Sequence, residues 1–422
     1  MSVAAEARGT TGAQSRGGDR YLVISSDCHA GADMATYRDY LERAYHADFD
    51  AWVETYVDPF ADRRGPNYDR NFNSARRIAE LESDGCVAEV LFPNTIPPFF
   101  PSGNLTAPPP NQEEYEHRWA GLKAYNRWLA DFCQEAPGRR AGVAHIMLND
   151  VDAAVAEIAW AKRAGLTGGI LLPGVPPDSS IPQLHSPVYE PIFATCAELG
   201  MPVNHHGGGA SPGGLTVGEV SGAIFLIEQG WYSHRALWQL IYSGVFDRHP
   251  SLRFVLTEQG GSSWIPGVLN FLDFYYERFS RHGTIEAIFG GESVQSLPMS
   301  PREYWHRNCF VGASFLRKIE VPLRYEIGVD HIMWGIDYPH EEATFPHSRE
   351  ALRWTFAGVD VGELRKMLGL TAAEVYGFDV AALTEIANRV GPTVEELSKP
   401  LHAPPPDSHS LGFTEETFLR PW

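Results

Sequence analysis

The chain has 422 residues, 44% of them hydrophobic, enough material for one large core or two smaller ones. Its 34 basic and 53 acidic residues leave a net charge of −19, which argues against nucleic acid and anionic membrane surfaces as partners, since both need a basic patch. No apolar run reaches the roughly 18 residues required to cross a bilayer.

Residues 1–19 are small, polar and Gly-rich, without the apolar run of a signal peptide, and are expected to form a disordered leader. Five cysteines (Cys28, Cys86, Cys133, Cys196, Cys309) are scattered with no CxxC, the pattern of reduced thiols in a cytoplasmic protein. The first strand is expected over 21–29, where an apolar run ends in Asp27-Cys28-His29. Side chains alternate along a strand, so Asp27 and His29 project to one side and Cys28 to the other. Residues 31–73 are rich in aromatic and charged side chains (Tyr37, Tyr40, Tyr45, Trp52, Tyr56, Phe60), and read as a helical insertion folded over the mouth of that strand. Ser74 is placed to cap a helix to Glu82 with Ile78 and Leu81 inward.

A second strand is expected over 86–93, then a proline-rich loop over 94–110 and an amphipathic helix over 113–135. Strands and helices then alternate. Strands are expected over 141–148, 169–173, 201–206, 253–258, 308–313 and 331–337. Helices are expected over 151–164, 187–199, 231–243 and 264–279, with Gly200 ending the second of these. Eight strands with helices between them predict an α/β fold, a closed (β/α)8 TIM barrel over 20–390. No GxGxxG follows the first strand, against an open dinucleotide-binding sheet. Residues 391–422 contain Pro404-Pro405-Pro406 and the apolar Leu411, Phe413, Phe418 and Leu419, and read as a C-terminal arm wrapping the barrel or a second subunit.

Several strands end in ionisable groups: Asp27 and His29, His205 and His206, Glu258, and Asp337. A barrel brings all strand C-termini to one mouth. So much charge on one rim is costly without water or a cation, and a divalent metal offsets the repulsion among carboxylates. A mixed imidazole and carboxylate set without thiolate suits Zn²⁺, Mn²⁺ or Fe²⁺, and its oxygen-rich balance moves weight toward Mn²⁺.

Asp27-x-His29, the histidine-glycine pair after the fifth strand, and Gly335-Ile336-Asp337-Tyr338-Pro339 after the eighth resemble the amidohydrolase-related family. That is the branch of the amidohydrolase superfamily that includes aminocarboxymuconate semialdehyde decarboxylase and γ-resorcylate decarboxylase. The run Ser243-Gly244-Val245-Phe246-Asp247-Arg248-His249-Pro250 is also similar to the family's segment before its sixth strand. The resemblance covers about residues 21–378 and implies one divalent ion held by Asp27, His29, His206 and Asp337. His206 is selected over His205 because the family's ligand falls four residues after the strand's proline, here Pro202. Family decarboxylases carry Gly-His-x-Gly on the sixth strand, with histidine as acid/base. Here Thr257-Glu258-Gln259-Gly260 stands in its place. Glu258 is therefore expected to transfer the proton, with Asp337 in the catalytic set. His205 and His340 are candidates for contact with substrate. The implied activity is hydrolysis or non-oxidative decarboxylation of a small carboxylated or aromatic molecule. A silent barrel kept for binding or assembly is the alternative. The aromatic insertion and the long apolar tail are excessive for a monomer of this charge, so a homodimer is expected.

Overall fold

Short aliphatic runs become strands here because parallel strands covered on both faces need apolar side chains on both. The computed structural model describes residues 19–57, 65–103, 105–212 and 219–414. Its strands are β1 (Ile24–Ala30), β2 (Ala88–Pro93), β3 (Arg140–Gly142), β4 (Ala144–His145), β5 (Ile170–Leu171), β6 (Val203–His206), β7 (Phe254–Thr257), β8 (Cys309–Ser314) and β9 (Ile332–Gly335). Every pairing is parallel, in chain order. β3 and β4 are two halves of one barrel strand. The Val143 N–H between them donates to Leu91 O at 3.0 Å, while Ala144 N–H turns to Gly169 O at 2.9 Å. The last strand returns to the first: Asp337 N–H donates to Asp27 O at 2.8 Å and His29 N–H to Tyr338 O at 2.7 Å. These bonds close the TIM barrel, with three candidate ligands, Asp27, His29 and Asp337, on its seam.

The helices that cover the barrel are Tyr115–Gln134, Val151–Arg163, Glu190–Leu199, Ser221–Tyr242 and Trp264–Phe279. The fourth begins ten residues before the expected start, and the early part contains exposed Leu226 and Ile227, so no amphipathic stripe marks it. The helix Ser74–Ser83 is capped by Asn73, whose Oδ1 accepts from Arg76 N–H at 3.1 Å, not by Ser74. Its inward residues are Arg77 and Leu81, with Ile78 only half-buried. The insertion after β1 contains the helices Met34–Tyr40 and His46–Thr55. Tyr37 from it is fully buried, with its hydroxyl 2.7 Å from Thr95 Oγ1, past the end of β2. Phe60 lies outside the described residues.

The chain after β9 returns along the barrel as Ser348–Phe356, Thr371–Tyr376 and Val380–Val390. Beyond residue 390, Pro392 O accepts from Tyr21 N–H at 2.9 Å, and Phe413 packs on Trp354 with ring centroids 6.4 Å apart. The described part of the arm thus lies on its own barrel. Residues 1–18, and Phe418 and Leu419 of the arm, lie outside the described residues.

Asp84 ties this return to the barrel. Its carboxylate is buried and accepts from Ser348 N–H at 3.0 Å, at the start of a helix. Burial pushes its pKa from 3.8 up to about 7. The folded state therefore holds this proton more tightly than the unfolded chain does. The stabilising contribution is complete below about pH 4 and is lost as pH rises through about 7. Asp84→Asn is expected to flatten that slope and to melt above the parent at pH 8. Equal slopes of melting temperature against pH would exclude the assignment.

Candidate metal centre

Six ionisable side chains meet at the C-terminal mouth. Asp27 and His29 come from β1, His206 ends β6, Glu258 directly follows β7, and Asp337 and His340 follow β9. His29 Nε2 lies 2.9 Å from Asp337 Oδ1, 3.5 Å from Asp27 Oδ1 and 3.7 Å from Glu258 Oε2. His206 Nε2 lies 3.6 Å from Asp27 Oδ1 and 3.2 Å from Glu258 Oε2. One ligand atom from each of Asp27, His29, His206 and Glu258 falls within a 4.8 Å span, and the same holds for His29, Glu258, Asp337 and His340.

Local sequence makes this approach possible. A Cβ at Gly335 would sit 2.6 Å from Ser314 Oγ and 2.9 Å from Asp27 Cβ, so only glycine lets β9 pass the site. A Cβ at Gly207 would meet Glu258 O at 2.3 Å, so glycine after His206 lets β7 close in. Glu258 (φ 48°) and Asp337 (φ 63°) both adopt left-handed backbone. That costs a non-glycine residue on the order of 1–2 kcal/mol and turns each carboxylate away from its strand axis. The seam is held from behind by Arg77, which is fully buried. Its Nη1 donates to His29 O at 2.7 Å and its Nη2 to Tyr338 O at 3.4 Å, while Nε donates to Glu89 at 2.8 Å.

The donor set fits a cation. Asp27 Oδ1, His29 Nε2, His206 Nε2 and Asp337 Oδ1 are buried and make no well-formed hydrogen bond. Buried polar atoms are otherwise almost always satisfied. These four belong to the expected ligands, one atom each. Both imidazoles are oriented by their other nitrogen: His29 Nδ1 lies 3.0 Å from Pro93 O and His206 Nδ1 3.1 Å from Gly207 O. A protonated Nδ1 leaves Nε2 with its lone pair toward the cluster. Without a cation, protons must fill that role. Burial lowers the affinity of His206 for a proton, but Asp27 and Glu258 more than reverse this and raise its pKa to about 10. His29 is raised likewise, its burial outweighed by Asp337 and Glu258. Glu258 is lowered, because the two imidazoles outweigh its burial.

The structure does not bring His205 to this cluster. It points to the other side of β6, with Nδ1 3.0 Å from Leu172 O, and burial lowers its pKa to about 4. The expectation that it contacts substrate is corrected: neighbours on a strand face opposite ways, and this ring lies within the barrel wall. His340 does reach the site, as a support for Asp337. Its ring stacks on His29 at 4.2 Å, and its nitrogens lie 2.9 Å from Asp337 Oδ2 and 3.0 Å from Asn94 Oδ1. Both partners offer oxygen atoms to the ring, and the Asp337 carboxylate outweighs burial to raise its pKa.

Sequence reasoning missed Ser314, whose hydroxyl donates to Asp27 Oδ2. It missed Asn94 and Arg77 as well. The one available signal was Glu89, a carboxylate inside the apolar run of β2 that demanded a buried cation as partner.

Comparisons with known proteins identify the family. The family model described as Amidohydrolase matches residues 35–378. The γ-resorcylate decarboxylase of Rhodococcus jostii (strain RHA1) is 26% identical over 271 residues, covering 60% of this chain and 75% of that protein. The 5-carboxyvanillate decarboxylase of Novosphingobium aromaticivorans DSM 12444, solved with manganese and 4-hydroxy-3-methoxy-5-nitrobenzoic acid, superposes with a TM-score of 0.65 at 20% identity over 85% of this chain and 97% of that one. The dihydroxybenzoic acid decarboxylase of Polaromonas sp. JS666, solved with manganese and 2-nitroresorcinol, gives 0.57 at 16% identity over 86% and 99%. The chain belongs to the amidohydrolase family, as an enzyme with a candidate divalent-metal site at the mouth of its barrel.

Proposed function

We propose that the chain is a non-oxidative decarboxylase of a small aromatic carboxylate, with one divalent ion held by Asp27, His29, His206 and Asp337. The observation that carries it is the set of four buried ligand atoms without a well-formed hydrogen bond, with a single carboxylate, Glu258, at their accessible edge. The Glu258 side chain is 27% exposed, against 0% for Asp27, His29 and Asp337 and 4% for His206. The names of the similar proteins support decarboxylation, and the manganese in two of the solved relatives, with the oxygen-rich donor set here, supports Mn²⁺ over Zn²⁺. When bound, the ion supplies positive charge that draws in and polarises the oxygens of an aromatic acid.

The chain's own residues do the rest. His340 and Ser314 orient the carboxylates of Asp337 and Asp27. Breaking the ring–carboxylate bond releases CO₂ and leaves an electron pair on the ring carbon, which must take one proton. Glu258, the most exposed carboxylate of the cluster, is the group proposed to pass that proton from solvent to the ring. The test is to incubate manganese-loaded protein with a panel of hydroxybenzoates and measure CO₂ and the phenol formed. Equal yields of CO₂ and phenol are expected. Turnover that consumes water without CO₂ would replace this reading with hydrolysis.

We further infer a cytoplasmic homodimer. All five cysteines are buried and unpaired. In the aromatic insertion, Trp52 packs within the chain on Tyr56 and Phe99. The apolar surface lies elsewhere, at Leu226, Ile227 and Trp231, at Phe271, and at Ile288 and Phe289, each more than half exposed. Such a surface is characteristic of subunit contacts. Light scattering at micromolar concentration should give twice the chain mass, and a monomer mass would count against it.

A further inference from the structure

Glu258 stands at the head of a loop that neighbouring elements anchor, and none of those anchors has a part in the reaction described so far. β7 ends at Thr257, and Glu258 turns into left-handed backbone with φ 48°. The next residue, Gln259, is 2% exposed, and its side-chain Nε2 donates to His205 O at 2.9 Å, on β6 next to the ligand His206. The Gln259 carbonyl accepts from His234 Nε2 at 2.8 Å, on the helix Ser221–Tyr242. The His234 ring stacks on Trp264, with centroids 3.7 Å apart and planes 15° from parallel. A carbonyl only accepts, so the ring proton sits on Nε2, and burial lowers the pKa to about 4 and keeps the imidazole neutral.

The far side of the loop is fixed separately. Trp264 Nε1 donates to Gly261 O at 3.1 Å, and the Ser262 and Ser263 N–H groups donate to the buried Glu320 carboxylate at 2.6 and 2.8 Å. Gly260 and Gly261 join the two sets of anchors, with φ of 84° and 78°. Glycine adopts such backbone freely and adds no stiffness of its own, so the distal anchors set the direction of Glu258 only weakly across it. Gln259 is the nearest fixed point, tied on one side to β6 and on the other to the covering helix. A left-handed non-glycine residue persists only where its surroundings hold it there. A return of Glu258 to the ordinary negative φ range would swing its Cβ, and the carboxylate would move with it.

We propose that His234 and the Gln259 side chain are positioning residues for Glu258. Together they fix Gln259 between the covering helix and β6, and so keep the Glu258 carboxylate turned toward His206 and His29. This role rests on the decarboxylase reading, in which Glu258 delivers the proton. Neither His234 nor Gln259 belongs to the cluster of ligand atoms.

His234→Phe keeps an aromatic ring against Trp264 and deletes the donor, whereas His234→Gln keeps a donor of similar reach. In the manganese-loaded protein, His234→Phe is expected to lower kcat by about 10-fold or more, with KM and manganese content unchanged. His234→Gln should recover most of that loss. In the Glu258→Gln background, His234→Phe should cost nothing further, because its effect passes through the missing carboxylate. Losses that multiply in the double variant would mean that His234 only supports the fold, and would overturn the assignment. Crystal structures of the parent and of His234→Phe, both manganese-loaded, decide the placement without turnover. The Glu258 carboxylate should move away from His206 in the variant, and an unmoved carboxylate overturns the assignment. If His234→Phe does not fold, Gln259→Met removes the amide donor to His205 O and is read by the same kinetics and crystals. Failure of the decarboxylase reading is seen separately, as no CO₂ from the parent with any hydroxybenzoate, and the crystal comparison still decides what holds Glu258.

Discussion

Replacing His206 with alanine is expected to strip the divalent ion from the protein and abolish turnover. The ring is fixed by its Nδ1 beside Gly207 O, and Nε2 is aimed at Asp27 and Glu258 without a well-formed bond. Removing it deletes one of four ligands and leaves Asp27 facing Glu258 and Asp337 with less positive charge between them. Supporting residues around a metal typically cost 10–100-fold in affinity when mutated, so loss of a ligand should exceed about 10²-fold. The neighbouring His205→Ala is the control. It deletes a hydrogen bond inside the barrel wall, worth about 1–3 kcal/mol of stability if Leu172 O is left unsatisfied, and leaves the metal in place. Metal analysis of both purified variants decides. If His205→Ala loses the ion and His206→Ala keeps it, the assignment of faces on β6 is reversed.

Glu258→Gln should leave the metal content near that of the parent and lower turnover by about 10²-fold or more. Glutamine keeps the shape, and its amide can still face the imidazoles. It cannot carry a proton. Glu258 Oε2 is 3.2 Å from His206 Nε2 and 3.7 Å from His29 Nε2, so it stands within the cluster, yet it alone among these three side chains is substantially exposed. A sealed group suits a ligand, and an accessible one suits proton exchange with solvent and substrate. The variant should also lose one limb of the pH–rate profile. Loss of the ion in this variant would make Glu258 a ligand and place the proton donor elsewhere. Unchanged turnover would remove it from the chemistry altogether.

Much of the barrel and of the site was legible because it is written in short patterns. Aliphatic runs separated by amphipathic stretches announce alternating strands and helices. An ionisable residue closing several of those runs announces a polar mouth. Strand alternation places Asp27 beside His29 and separates His206 from His205, without any knowledge of the rest of the chain. The helix Trp264–Phe279 needed no correction, since Ile265, Leu269 and Leu272 form an apolar stripe that is buried against the barrel. The first half of Ser221–Tyr242 escaped notice because its apolar residues face outward and leave no stripe.

The chain itself determined the parallel barrel, the residue types at its mouth and the face each strand presents. Tertiary structure alone decided that Ser314 reaches Asp27, that His340 bridges Asp337 and Asn94, that Arg77 lies beneath the seam and that His234 reaches the Gln259 carbonyl. A lone arginine on a helix gives the same local signal whether it meets water or a buried carboxylate. Serine and asparagine carry no pattern at all. The difference rests on which strands lie side by side and how far each has advanced when the barrel closes. Such contacts join residues hundreds of positions apart, where neither side-chain period nor local propensity extends.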